Sequence, residues 1–192
     1  MASSSDVITI VSGLPRSGTS MMMKMLEAGG LEPMTDHVRK PDVDNPKGYY
    51  EYEIVKKIAE DQSWLPDTRG KAFKMVAPLL LHLPAGFKYQ VVFMRRDMNE
   101  MLQSQNKMLE RLGTGGSTIP DEQIAALFQK QLDKIVPWLA ARDDIRVLYV
   151  NYNDVLGDTA QQISRIADFL DQDIDATGMG RVVDPELYRN RG

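Results

Sequence analysis

Residues 13–20, Gly13-Leu-Pro-Arg-Ser-Gly18-Thr19-Ser20, have nearly the spacing of the phosphate-binding loop G-x-x-x-x-G-K-[ST]. Glycines at both ends let the backbone turn so that successive amide hydrogens point inward at the start of a helix, which stabilises an anion such as phosphate or sulfate. Thr19 replaces the lysine, so an ordinary nucleoside triphosphate is either not the ligand or is bound differently. Arg16 supplies positive charge instead, and a planar guanidinium can bind two oxygens at once. The alternative is a turn that binds nothing.

The elements around this loop predict an α/β chain. A β-branched run at 7–11 predicts a strand that ends at the loop, and helix formers follow it. Further strands are predicted at KAFKMVA (71–77), YQVVFMRR (89–96) and IRVLYVNY (145–152). Helices are predicted at 49–61, at 98–112 with Asp97 as its N-cap, at 121–142 with a break or kink near Pro137, and at 158–171; the tail from 178 is expected to be irregular.

This alternation of strands and helices predicts a three-layer P-loop fold, in which helices flank a central, mainly parallel sheet. Ligands bind such folds at the carboxyl ends of the strands. We expect residues 1–192 to form one domain.

The composition limits the possible partners. A formal net charge of −4 argues against broad capture of nucleic acid, although a local basic site can exist on an acidic protein. The absence of cysteine excludes thiolate metal sites and cysteine nucleophiles, and two histidines make a histidine-rich metal site improbable. No run approaches the ~20 apolar residues of a membrane span, and the N-terminus lacks a signal-peptide pattern. We expect a cytoplasmic protein.

The segment GLPRSGTSMMMKML resembles the 5'-phosphosulfate loop of sulfotransferases that use 3'-phosphoadenosine 5'-phosphosulfate (PAPS), in the P-R-S-G-T form of tyrosylprotein and bacterial members. In that family the lysine of the nucleoside triphosphatase loop is absent. The resemblance implies that PAPS is the co-substrate, that no metal is required, and that the phosphosulfate end of the donor contacts the residues Pro15, Arg16, Ser17, Gly18, Thr19 and Ser20.

A second segment, VVFMRRDMNEMLQSQ, resembles the family's 3'-phosphate motif, in which an arginine closes a strand and a serine follows eight residues later. Arg96 and Ser104 fit that spacing, and Arg95 could exchange roles with Arg96. Ser104 lies about two helical turns from Asp97, so Arg96 and Ser104 are expected to approach one phosphate from different directions. Taken alone, the segment could simply end a strand and begin a solvated helix.

The catalytic residues follow less directly. Cytosolic sulfotransferases carry a histidine base in a K-T-H-L-P stretch, and this chain has KMVAP there, with Val76 at the histidine position. Tyrosylprotein and several carbohydrate sulfotransferases use a glutamate after the first helix, which points to Glu51, with Glu53 nearby. Lys74 matches the lysine that helps to stabilise the leaving group, a role shared with Arg16. His37 and His82 are reserve candidates.

Two other functions stay open from sequence. A small-molecule kinase or nucleoside triphosphatase with a degenerate loop would need an acidic magnesium ligand, for which Asp97 and Asp154 are candidates. A non-catalytic protein would bind the nucleotide without turnover. The acceptor is not specified: a small molecule, carbohydrate or lipid is possible, and its pocket is expected to involve the irregular segments 35–48 and 113–120.

Overall fold

The computed structural model describes residues 6–36, 50–111, 113 and 119–183. Within them, a parallel sheet of four strands is ordered β2-β1-β3-β4. The strands are β1 (Val7–Gly13), β2 (Ala72–Val76), β3 (Lys88–Arg95) and β4 (Ile145–Asn151). β1 lies between β2 and β3, with Val11 opposite Lys74 on one side and Val92 on the other. The predicted α/β fold with a parallel sheet is confirmed.

Helices cover both faces of this sheet. They are α1 (Thr19–Ala28), α2 (Met98–Arg111), α3 (Asp121–Ala140), α4 (Tyr152–Gly157), α5 (Thr159–Leu170) and α6 (Ala176–Val182). Short 3₁₀ turns lie at Glu53–Lys57, Leu65–Thr68 and Ala77–His82. None of the helices within the described ranges is both long and apolar enough to cross a bilayer.

Two apolar clusters form the core, one on each face of the sheet. The α3-side cluster contains Ile10, Phe93 and Ile135, and the α1-side cluster contains Val11 and Met23. Alternate residues of β1 and β3 therefore point to opposite clusters, as the two-residue period of a strand requires. Because both faces are covered, the central strands read as continuous apolar runs in the sequence.

Three sequence predictions of secondary structure were wrong in detail. In the segment predicted as a helix at 49–61, the described residues 50–61 form no α-helix, because Tyr50 has a left-handed φ of 51° and only a 3₁₀ turn starts at Glu53, whose amide donates to Asp36 Oδ2 at 2.6 Å. The predicted break at Pro137 is absent, since α3 continues through this residue to Ala140. Residues 178–182 of the tail predicted to be irregular belong to α6, in which Gly178 packs so closely on α1 that an added Cβ would lie 2.3 Å from the Ala28 carbonyl oxygen. The rest of that tail, from 184, lies outside the described residues.

Candidate active site

The loop after β1 has a conformation that depends on both of its glycines. Gly13 has φ 155° and Gly18 has φ 98°, and Arg16 between them is left-handed with φ 67°. A Cβ on Gly13 would lie 2.4 Å from Ser17 Oγ, and a Cβ on Gly18 would lie 2.5 Å from the Tyr152 ring. These close approaches hold the loop against neighbouring elements, so glycine is required at both positions.

The loop leads into the amino end of α1, which has the features of an anion site. Gly18 is the N-cap and provides no side-chain acceptor, and the first turn contains no acidic residue. Ser17 is 1% exposed, and its hydroxyl has no hydrogen-bond partner among the described residues. Thr19 and Ser20 are half-buried on the first turn, and Pro15 is exposed at the tip of the loop. Backbone amides and a buried hydroxyl at a helix amino end match the chemistry of a bound sulfate or phosphate.

Arg16 joins the loop to the second motif. Its Nε donates to Ser104 Oγ at 2.9 Å, although the two residues are 88 positions apart in the chain. One terminal nitrogen also donates to Met108 Sδ at 3.7 Å, one turn further along α2. The two segments that were identified independently in the sequence therefore meet through a direct side-chain hydrogen bond.

Arg96 completes this cluster from the end of β3. Its NH1 donates to the Arg16 carbonyl oxygen at 3.3 Å, and its guanidinium lies over the Tyr152 ring at 4.3 Å from the centroid. Arg96 Nε donates to Glu100 Oε2 at 2.8 Å, in a pair whose side chains are 7% and 9% exposed. Arg95, the alternative considered from sequence, stacks instead on Tyr149 at 3.9 Å. Arg96 therefore contacts the loop, whereas Arg95 turns toward β4.

Sequence reasoning missed three residues that position Arg96. One carboxylate oxygen of Glu100 accepts a hydrogen bond from Arg96 Nε, and the other accepts one from Asn153 Nδ2 at 3.1 Å. Tyr152 supplies the ring on which both Arg96 and Gly18 rest. Glu100 is four residues after Arg96, an ion-pair spacing visible in the sequence, whereas nothing in the sequence marks Tyr152 or Asn153.

The electrostatics of the cluster are mixed in sign. Burial raises the pKa of the Tyr152 hydroxyl; the nearby Arg96 and Arg16 act to lower that pKa, and Glu100 acts to raise it. Tyr152 therefore stays neutral near pH 7 and serves as an aromatic surface.

Strand pairing and backbone hydrogen bonds show where the predicted catalytic residues lie. Lys74 is half-buried and lies opposite Val11, so its side chain is on the α1 face of the sheet, two residues before the end of β2. The Glu51 carbonyl accepts from Thr35 Oγ1 at 2.9 Å and from the Asp36 amide at 3.2 Å, and its side chain is half-buried. The roles of Lys74 and Glu51 stay predictions. His82 is exposed, and His37 lies outside the described residues.

The acidic candidates of the kinase alternative have other contacts. Asp97 Oδ1 accepts from the amides of Asn99 and Glu100 at 2.9 and 3.2 Å, which is its predicted role as the cap of α2. Asp154 Oδ2 accepts from Asn151 at 2.9 Å on the protein surface. Across the ranges that the structure describes, no three acidic or histidine side chains are grouped to hold a metal ion.

Comparison with known proteins decides the family. Residues 47–176, which include Arg96 and Ser104, match the family described as "Sulfotransferase family". The chain belongs to the sulfotransferase family. The sequence prediction of a sulfuryl-transferring enzyme is thereby confirmed, and the kinase alternative is less supported. The match does not include the loop at 13–20, so the loop motif is a separate observation. No curated protein matches the sequence significantly.

Several solved structures share the fold of this chain, and sulfotransferases are among them. The sulfotransferase domain of the Synechococcus PCC 7002 olefin synthase is 15% identical with a TM-score of 0.55; the alignment covers 100% of this chain and 82% of that one. A retinol dehydratase in complex with androsterone and the inactive cofactor PAP is 19% identical with a TM-score of 0.54, covering 98% and 66%. A mouse sulfotransferase complexed with PAP is 18% identical with a TM-score of 0.54, covering 94% and 63%. At these identities the similarity concerns the fold.

Proposed function

We propose that this sulfotransferase uses PAPS as its donor and transfers the sulfuryl group to a hydroxyl or amine of a small acceptor. The observation that carries the proposal is the hydrogen bond between Arg16 and Ser104, together with the Arg96 contact to the Arg16 carbonyl. These contacts bring the loop that we propose for the 5' end of the donor together with the motif that we propose for its 3'-phosphate. PAPS carries phosphates at both positions, and two of the similar structures contain its product PAP.

The acceptors that Arg16 now contacts favour this assignment. The hydroxyl of Ser104 and the thioether of Met108 are both neutral, and hydrogen bonds to charged oxygens are roughly twice as strong as neutral ones. A phosphate or phosphosulfate group would therefore replace these two contacts of Arg16. The donor would be held at its 5' end by Pro15, Arg16, Ser17, Gly18, Thr19 and Ser20, and at its 3'-phosphate by Arg96 and Ser104.

The reaction requires one bond to form as another breaks. The acceptor oxygen or nitrogen forms a bond to sulfur, the bond between sulfur and the 5'-phosphate oxygen breaks, and PAP leaves with the electron pair. Negative charge then grows on that phosphate, where the amides at the start of α1, Arg16 and Lys74 would stabilise it. Glu51 would take the proton that the acceptor loses.

Glu51→Gln tests the proposed base. With radiolabelled PAPS and a working acceptor, we expect kcat to fall by about 100-fold, the scale of general-base catalysis, while the affinity for PAP is unchanged. Glu53→Gln is the matched control, because Glu53 is exposed and pairs with Lys56 at 2.6 Å. Full activity in Glu51→Gln would show that the base is another residue. Tight PAP binding without any turnover by the wild-type chain would favour the non-catalytic alternative.

A further inference from the structure

A cavity of about 490 Å³ lies directly beside the proposed donor site. Leu14 and Ser17 of the loop and Arg96 from the end of β3 form one end of it, and α3 forms the far wall through residues such as Leu132 and Val136. Its volume is within the range of roughly 300–1,000 Å³ that is typical of small-molecule pockets. The cavity therefore connects the site of the transferring group with a space for a second molecule.

The walls of this cavity are mainly apolar. Eight of its thirteen described lining residues are apolar, and Met94, Met98 and Met101 form much of the surface near the loop. Methionine side chains are flexible and polarisable, so they adapt to apolar ligands of irregular shape. The five polar lining residues are Ser17 on the loop, Arg95 and Arg96 at the end of β3, and Gln129 and Asp133 on α3.

The reacting end of the cavity contains a polar atom that needs a partner. The Ser17 hydroxyl is almost fully buried and makes no hydrogen bond within the described part of the chain. A buried hydroxyl without a partner is costly, and a ligand that supplies one gains affinity. In the proposed function that partner is the 5' end of the donor, so an acceptor hydroxyl that enters the cavity beside Ser17 would lie next to the transferring group.

Adenosine fits this cavity poorly. Its ring nitrogens and sugar hydroxyls require several polar partners, whereas eight of the thirteen described lining residues are apolar. The phosphate cluster and the cavity share Ser17 and Arg96, and the cavity extends from these residues to α3. A second molecule therefore has space beyond the residues proposed to bind the phosphates.

From this arrangement we infer that the cavity binds the sulfuryl acceptor and that the acceptor is a small apolar alcohol rather than a carbohydrate. The inference rests on the proposed PAPS-dependent function. It commits to one of the acceptor classes that the sequence left open, since a sugar would bury most of its hydroxyls against apolar side chains without hydrogen bonds. Residues 37–48 and 114–118 of the two loops that the sequence assigned to the acceptor lie outside the described residues.

The test uses two probes that share a primary hydroxyl and differ in the rest of the molecule: 1-octanol and methyl glucoside. Calorimetry is performed on the protein saturated with PAP, so that binding is measured without turnover. We expect 1-octanol to bind and methyl glucoside not to bind. Absence of 1-octanol binding, or tighter binding of methyl glucoside, would overturn the inference.

Two substitutions and one control assign the binding to this cavity. Val136→Phe fills the cavity, and Leu132→Gln makes its wall polar. Each substitution should weaken the binding of 1-octanol by about tenfold or more. Leu127→Phe is the control, because Leu127 is 53% exposed and nine residues from Val136, about 180° around α3. The control should bind 1-octanol as the wild type does.

PAP affinity, measured in parallel, separates the possible failures. If wild-type protein does not bind PAP, the proposed function itself fails. If PAP binds normally and neither Val136→Phe nor Leu132→Gln weakens 1-octanol, the donor assignment survives and the cavity is not the acceptor site. If Val136→Phe weakens PAP binding by the same factor as 1-octanol binding, the cavity holds part of the nucleotide. That result would also overturn the inference.

Discussion

Arginines at the two ends of the sheet make different kinds of contact. At the amino end, Arg142 donates to both oxygens of Asp144 at 2.6 and 2.5 Å and to the carbonyls of Leu83 and Pro84 at 3.0 and 3.2 Å. All these partners belong to the connections that enter β3 and β4. The arginine fixes two adjacent connections to one another, so its role is structural.

At the carboxyl end, the arginines connect separate functional segments. Arg16 reaches from the loop to Ser104 on α2, and Arg96 reaches from β3 to the loop carbonyl and to Glu100. Arg142 joins two connections that enter the sheet, whereas Arg16 and Arg96 join the loop to the segment proposed to bind the 3'-phosphate, although Arg96 also pairs with a carboxylate. The segments that an arginine joins, rather than the charge of its partner, therefore separate the proposed ligand site from the structural contact.

The largest expected effect comes from Arg96. Arg96→Ala should weaken PAP binding by about 100-fold, or about 3 kcal/mol, because the substitution removes the charge proposed to bind the 3'-phosphate. Arg142→Ala should leave PAP affinity within about twofold of wild type, as no charge near a phosphate is lost. Calorimetric titration of both variants with PAP checks this prediction. An equal loss of PAP affinity in the two variants would show that the arginines at the two ends of the sheet do not differ in ligand binding.

Stability should show the opposite pattern. Arg142→Ala should lower the free energy of unfolding by about 2–3 kcal/mol, because it leaves two carbonyls and a carboxylate without their donor. Arg146→Ala is the control, since Arg146 is exposed and stacks on Phe169 at 5.1 Å, and it should cost less than about 1 kcal/mol. Urea unfolding measures both. An unchanged free energy of unfolding in Arg142→Ala would contradict the structural role of Arg142.

A pair of glycines sharpens the comparison. Gly18 and Gly30 both have φ 98°, but only Gly18 would place a Cβ against Tyr152, whereas nothing lies within 4 Å of a Cβ on Gly30. Gly30→Ala should cost about 1 kcal/mol of stability from backbone strain alone. Gly18→Ala should cost about 1–2 kcal/mol more and should weaken PAP, because the Tyr152 ring must move. Equal effects in urea unfolding and calorimetry would mean that the Tyr152 contact does not matter.

The smallest expected effect is a pH dependence at the amino end. The hydrogen bond from Arg142 holds the pKa of Asp144 below its ordinary value of 3.8, so this carboxylate stabilises the fold above that pH. Its contribution is lost as pH falls through the lowered pKa. Unfolding free energy measured from pH 6 down to about pH 3 should fall less steeply in Asp144→Asn than in wild type. Parallel curves would show that Asp144 does not contribute.

The sequence predicted the strands well and the site contacts only in outline. β1 and β3 are β-branched or apolar runs buried on both faces, and that environment leaves a clear pattern; β4 is only partly buried but is also rich in β-branched and apolar residues. Arg96 and Ser104 could be identified by spacing, but the direct partner of Ser104 is Arg16, a contact between residues distant in sequence. The role of Tyr152 depends on the same kind of distant packing, which local propensity does not encode.

Local exceptions explain the remaining errors. The left-handed Tyr50 stops a helix that the pattern at 49–61 favours, and its hydroxyl donates to Glu27 on α1. Gly178 belongs to a helix because close packing on α1 requires a residue without a side chain. In each case a tertiary contact outweighs the intrinsic preference of the residues.

The central claim is that the loop and Arg96 form a site for an adenosine nucleotide with 3'- and 5'-phosphates. The most direct test is calorimetric titration of the wild-type protein with PAP and, in parallel, with ATP and magnesium. The account predicts PAP binding on the order of micromolar, at least about 100-fold tighter than ATP with magnesium. Binding of ATP with magnesium and not of PAP would contradict it and would restore the kinase alternative.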